Sequence, residues 1–206
     1  MSTPQMKKSD AKRLHILDQS LELVLTKGFV GLGLQEILKK CGIPKGSFYH
    51  YFDSKEEFGC ELVKHYILNY QNRLNVLWDN PQSGNANLLA YFQKWIIDPD
   101  HSSSWADRCL IVKLAAEVAD LSEDMRLIME QGTKRLTARI VELIEQGIED
   151  QSIQPQANAI VTAQTIYQMW LGAALLSKLY QDKTPLHQAL IATEFMLNSN
   201  QTSAVG

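Results

Sequence analysis

A chain of 206 residues, 45% of them hydrophobic, can bury a substantial core in one or two domains, and no apolar run in it approaches the roughly 20 residues of a bilayer span. The net charge of −3 hides an asymmetry, because residues 1–65 carry ten Lys and Arg against eight Asp and Glu while the remainder carries ten against fifteen. Three widely spaced cysteines, without a His pairing pattern, argue against a disulfide scaffold and a zinc site, so neither a metal nor a cofactor is expected.

Residues 1–9 read as a tail, whose Lys7 and Lys8 could either touch a nucleic-acid backbone or simply be solvated. The opening MSTPQMKKSD has no apolar signal segment, so a cytoplasmic location without membrane association is expected. Ser9 or Asp10 suits the cap of a first helix, which Leu14, Leu17, Leu21 and Val24 stripe as far as Lys27 and Gly28 closes. The stretch LQEILKKCGIPKGSFYHYFDSK, 34–55, then reads as helix, tight turn, helix. Leu34, Ile37 and Leu38 share one face; Gly42 suits a left-handed turn, and Pro44 suits a first helical position. Phe48 and Phe52, four apart, can anchor the second helix while Lys45, Ser47, Tyr49, His50 and Tyr51 face outward. Lys39, Lys40, Lys45 and Lys55 cluster around this helix, as a solvated face or as an electrostatic footprint for DNA.

Ser54 with Glu57 has capping-box spacing for a long helix reaching about Trp78. A loop at 80–85 is followed by a helix from Leu88 to Ile97, and then by a polar break at 98–104. A nearly all-apolar helix is expected from about Asp107 to Ala119, and a long amphipathic one from Glu123, capped by Ser122, to Glu149. In the latter, Met125, Ile128, Met129, Leu136, Ile140, Leu143 and Ile144 point inward. Two further helices, about 157–181 and 185–198, complete an all-α chain of about nine helices. Ile166, Trp170, Ala173, Ala174 and Ser177, with Leu186, Leu190, Ile191, Phe195 and Met196, suit either an interface or packing onto the same chain.

The run GIPKGSFYHYFDSKEEF resembles the DNA-binding signature of the TetR/AcrR family of bacterial repressors, and AKRLHILDQSLELVLTKGFVGLGLQEI resembles the helices that precede it. One position departs: Gly33 stands where a Thr or Ser commonly opens the second helix, which removes a hydroxyl for a phosphate. The resemblance implies a three-helix helix-turn-helix head at 1–53 and a helical regulatory and dimerisation body at 54–206. It implies a homodimer whose last two helices pair, bound to double-stranded DNA at a palindromic operator and released by a small-molecule inducer. It places Lys45, Gly46 and Tyr49 at base-facing positions and Ser47, Tyr51 and Lys55 at phosphate-clamping ones.

Two ways of sensing remain open. One is an apolar pocket lined by residues such as Tyr91, Trp95, Leu114, Met125, Met129 and Trp170, each of which also suits plain core packing. The other is covalent sensing at Cys109, near a helix start and flanked by Arg108 and Lys113, where a thiolate is favoured. The segments RCLIVKLAAEVADLSEDMR and YQMWLGAALLSK are similar to the N-ethylmaleimide-responsive, electrophile-sensing subgroup of the family. That likeness implies Cys109 as the sensor of electrophiles or oxidants, with Lys178 as a partner for a modified sulfur. Cys41 and Cys60 read as structural. An electrophile-scavenging enzyme lacks a recognisable His/Asp partner or phosphate loop, so the chain is not expected to be an enzyme.

Overall fold

The computed structural model describes residues 8–156 and 158–198, so Lys7 lies outside the described residues. Among them the fold is all-α, with nine helices and no strand. Packing divides the chain into two compact units: residues up to Tyr70 with Lys113–Glu130, and Gln71–Val112 with the residues from Gln131 onward.

In the first unit α1 (Lys8–Lys27) starts ahead of its expected caps, so Ser9 and Asp10 fall in its first turn rather than before it. Ile16, Leu17 and Val24 are buried along one stripe, and Gly28 ends the helix at φ +79°, a conformation costly for any residue with a Cβ. In α2 (Leu34–Cys41) Gly33 is the N-cap and contributes no side-chain bond; Gly42 closes the helix at φ +64°. In α3 (Lys45–Tyr51) Pro44 is the cap and not the first helical residue, with φ −73° and ψ 157°. Its ring fixes φ equally well there, and its carbonyl accepts from Ser47 N–H at 3.0 Å. The buried rings of Phe48, Phe52 and Phe58 lie 5.2 to 5.4 Å apart. Burying each phenyl contributes about 2–3 kcal/mol. Glu57 N–H donates to Ser54 Oγ at 3.0 Å, capping α4 (Lys55–Trp78) as its sequence predicts. The Glu57 carboxylate reaches back one residue further than the usual box, to Asp53 N–H.

In the second unit α5 (Gly84–Ile96) begins four residues before Leu88, within the stretch expected to be loop. Ser83 caps it through Ala86 N–H at 3.2 Å, Asp150 takes Gly84 N–H at 2.8 Å and Ser152 Oγ takes Asn85 N–H at 3.2 Å, so three side-chain oxygens serve its first turn. The 98–104 stretch, which composition marks as a mere break, is gathered on the buried Asp98. Lys94 Nζ (3.0 Å), Trp105 Nε1–H (2.9 Å) and Asp100 N–H (3.3 Å) donate to that carboxylate, and His101 Nδ1 lies 2.9 Å from it. Burial alone would raise the Asp98 carboxyl, but the bonds from Lys94, Trp105 and Asp100 outweigh it and hold it below its ordinary range. α6 (Leu110–Leu121) starts later than Asp107, because Trp105–Arg108 forms a turn of its own.

Ser122 Oγ caps α7 (Glu123–Glu149) by accepting Met125 N–H at 3.3 Å, as expected. Met125, Met129, Ile140, Leu143 and Ile144 are buried, whereas Ile128 and Leu136 are half-buried. Helix α8 (Ala159–Tyr180) is apolar enough over 22 residues to cross a membrane by length and composition, more than the sequence reading allowed. Ile166, Trp170, Ala173, Ala174 and Ser177 are nonetheless buried within this chain, where α8 packs on α9 (Thr184–Asn198). Trp170 stacks on Phe92 of α5 with ring centroids 4.5 Å apart and donates Nε1–H to Thr193 Oγ1 at 2.9 Å. Leu186 is buried too, so this face is already covered. The exposed large apolar residues of the pair are Ile160, Val161, Leu175, Leu176, Leu179 and Tyr180 on α8, with Ile191 and Phe195 on α9, the last two as expected.

Candidate nucleic-acid interface

The short α3 can hold its polar residues outward because its two phenyl anchors point the other way. Phe48 and Phe52 are sealed in the core of the first unit, while Lys45, Gly46, Tyr49 and His50 are exposed and Ser47 and Tyr51 half-exposed. Lys45 Nζ lies 5.9 Å from the Tyr49 ring centroid, which sets an ammonium beside a phenol on one face. Tyr51 meets His50 edge-on at 5.0 Å. An added Cβ at Gly46 would find no heavy atom within 4 Å, so internal packing does not require glycine there. Between α2 and α3 runs a surface groove of about 460 Å³, lined by Gln35, Lys39, Gly42, Pro44 and Lys45 among others.

The four-lysine cluster of the sequence divides in the structure. Lys40 lies 3.6 Å from the Glu22 carboxylate, and Lys55 is half-buried with its Nζ 5.0 Å over the Phe29 ring. Lys39 and Lys45 are exposed and, among the described residues, form no ion pair. Of these four lysines, the two that are exposed and without an ion pair thus lie at the α2–α3 edge. Gln35, on the same groove, is a hydrogen-bonding residue that sequence reasoning passed over; its place one residue into α2, beside the Gly33 cap, was the available signal.

The expected sensor residues are spread over both units. Cys109 is 3% exposed and immediately precedes α6, its N–H donating to Ala106 O at 3.3 Å. The side chain of Lys113, expected to flank it, donates to Thr26 O at 3.1 Å in the first unit. Tyr91, Trp95 and Trp170 are brought together in the second unit, with centroid distances of 6.1 Å for Tyr91–Trp95 and 6.0 Å for Trp95–Trp170. Lys178 stands half-buried in the last turn of α8 in that unit. Leu114, Met125 and Met129 are buried in the first unit. Burial pushes the Cys41 and Cys60 thiols up, with the Asp124 carboxylate adding to the effect at Cys60. Both effects disfavour the thiolate, in keeping with a structural role.

Residues 16–58 match the description "Bacterial regulatory proteins, tetR family", and residues 84–193 match "Tetracyclin repressor-like, C-terminal domain". The chain is 40% identical over 182 residues to the HTH-type transcriptional repressor NemR of Escherichia coli strain K12, spanning 86% of this chain and 89% of that one. It is 29% identical over 195 residues to the HTH-type transcriptional repressor DhaR of Mycobacterium sp. strain GP1, spanning 92% and 94%. A crystal structure of E. coli NemR in its reduced form superposes with a TM-score of 0.82 at 38% identity, covering 91% of this chain and 98% of that one. A TetR/AcrR family member of known structure superposes at 0.83 with 61% identity, covering 92% and 100%. With the helix-turn-helix head in place and both halves of the chain matched, the protein belongs to the tetR family of bacterial regulatory proteins.

Proposed function

We propose that the protein is a transcriptional repressor that occupies a palindromic operator as a homodimer and lets go when its body meets a reactive small molecule. The observation that carries the DNA-binding part is α3 itself, a helix pinned by buried Phe48 and Phe52 that presents Lys45, Gly46 and Tyr49 to solvent. In this reading Lys45 donates to base acceptors in the major groove, Tyr49 lies along base edges, and Gly46 lets the backbone come close. Ser47, Tyr51 and Lys55, with Lys39, take phosphates. The homodimer forms through the exposed apolar residues of α8 and α9, above all Leu179 and Phe195, 72% and 73% exposed. A cytoplasmic location accords with a partner that is chromosomal DNA.

For the sensor, Cys109 is the residue we favour, on the strength of its place before the first turn of α6. Its thiolate adds to the β-carbon of an unsaturated carbonyl compound: an S–C bond forms, the C=C π bond breaks, and the resulting enolate takes a proton from water. To empty an operator, the adduct must favour the released state by about 3–5 kcal/mol. Lys178 is a candidate partner for the modified sulfur. A second reading, a non-covalent apolar effector, draws on the Tyr91, Trp95 and Trp170 cluster. The test is operator binding by the protein and by Cys109→Ser, before and after a quinone. Selective binding lost on treatment only in the parent supports covalent sensing. Loss in both proteins removes Cys109 from the mechanism, and no sequence-selective binding at all removes the repressor.

A further inference from the structure

The turn that leads into Cys109 is closed twice, once by its own side chains and once by a residue far along the chain. Ser104 donates both N–H and Oγ–H to Asp107 Oδ2, at 3.0 and 2.7 Å, and Asp107 N–H donates back to Ser104 Oγ at 3.3 Å. Arg108 N–H reaches Ser104 O at 3.3 Å. These bonds satisfy the turn locally, yet Lys183 clasps it as well. Its Nζ lies 2.8 Å from both carboxylate oxygens of Asp107 and 3.0 Å from Ser104 Oγ. The ammonium comes from a stiff corner between α8 and α9. There Gln181 is left-handed at φ +55°, Ser177 Oγ–H donates to Asp182 O at 2.6 Å, and Thr184 N–H donates to Asp182 Oδ1 at 3.2 Å. Burial would raise the Asp107 carboxyl, but Lys183 and Ser104 hold it below its ordinary range.

We infer that Lys183 is a positioning residue for Cys109: its bonds to Asp107 and Ser104 keep the 104–108 turn shut, and the opening of that turn sets how fast a reagent reaches the thiol. The biological consequence rests on the sensor reading of Cys109, whereas the effect on reactivity does not. With Cys109 3% exposed, a reagent must wait for local opening, so the labelling rate is the open fraction multiplied by the rate of the exposed thiol. The tether joins this turn to the connection between α8 and α9, the two helices that carry the exposed apolar face. Opening the turn thus frees that connection from one of its holds.

The pair is more than one-third exposed on both sides, so the expected effect is moderate. Lys183→Met, which keeps the aliphatic stem, and Asp107→Asn should each speed alkylation of Cys109 by iodoacetamide about three- to tenfold. In that reaction Sγ bonds to the methylene carbon, iodide leaves, and the thiol proton goes to solvent. Rates are read by peptide mass on the full chain, with Cys41 and Cys60 as internal reporters of general loosening. Faster labelling confined to Cys109, non-additive in the double variant and slowed again by the charge swap Asp107→Lys with Lys183→Asp, supports the assignment. An unchanged Cys109 rate, or equal acceleration at all three thiols, overturns it. Operator release is scored separately: faster labelling without faster release upholds the tether and counts against Cys109 as the sensor.

Discussion

Replacing Gly46 by alanine should make the protein more stable and a poorer DNA binder at the same time. Gly46 is the second residue of α3, its φ is not positive, and a methyl group built on it would meet nothing within 4 Å. In the free protein the substitution therefore removes only the excess flexibility of glycine in the unfolded chain, a gain of about 0.4–1 kcal/mol. For a chain of this size that corresponds to roughly 1–4 °C in Tm. On DNA the same methyl group would occupy the gap that glycine leaves between backbone and groove. A close approach of α3 predicts at least about a tenfold loss of operator affinity, roughly 1.4 kcal/mol. Thermal melting without DNA and fluorescence anisotropy on a labelled operator, at one fixed salt concentration, give the two numbers. A variant that melts higher but binds as tightly as the parent would refute the close approach, and with it the assignment of Gly46 to the interface.

Other substitutions probe the neighbouring links. Lys45→Ala should weaken operator binding far more than binding to random duplex, whereas Lys39→Ala should weaken both alike and flatten the salt dependence by about one counterion, as filter or anisotropy titrations over salt would show. Leu179→Glu should yield a monomer in sedimentation at micromolar concentration and lose the operator with it, since one head offers half the contacts. The pH dependence of Asp98 has a definite sign. Its folded carboxyl sits below the ordinary 3.8, so the stability it contributes is complete above the unfolded value and drains as pH falls through the folded one. The advantage of the parent over Asp98→Asn in urea unfolding should be larger at about pH 5 than at about pH 3; a gap that stays constant would mean the charge is immaterial.

Local signals with a single physical meaning were readable from sequence. Gly28 and Gly42 mark left-handed helix ends because a Cβ is penalised there, and Ser54 and Ser122 mark helix starts because an orphan N–H needs an oxygen. The misplacements have other causes, a partner remote in sequence at the start of α5 and side-chain bonding that composition does not reveal at 98–104. Asn80 to Asn85 looks like loop by composition, but Asp150 supplies the acceptor that lets α5 begin at Gly84. The 98–104 stretch looks like a break, although Asp98 collects bonds from Lys94, Trp105 and Asp100. Pro44 fits the cap and the first helical position equally well on φ alone, so its ring could not decide between them.

The outward side chains of α3 were legible for the same reason that the exposed face of α8 was not. In α3 two phenylalanines four apart leave one reading of the helix, with the polar residues outward, and their burial bears out that orientation. In α8 nearly every position is apolar, so periodicity gives no direction. The small residues Ala173, Ala174 and Ser177, which look suited to close approach between copies, instead admit α9 of the same chain. What is left outside, Leu175, Leu176, Leu179 and Tyr180, is too apolar to be explained by solubility alone. The exposed apolar residues of α8 and α9 and the Lys183–Asp107 ion pair that holds the turn before Cys109 thus share one connection, the corner between α8 and α9. In the proposed homodimer, release needs no direct contact with α3, because a change in how the two heads are spaced is enough to lose a palindromic operator.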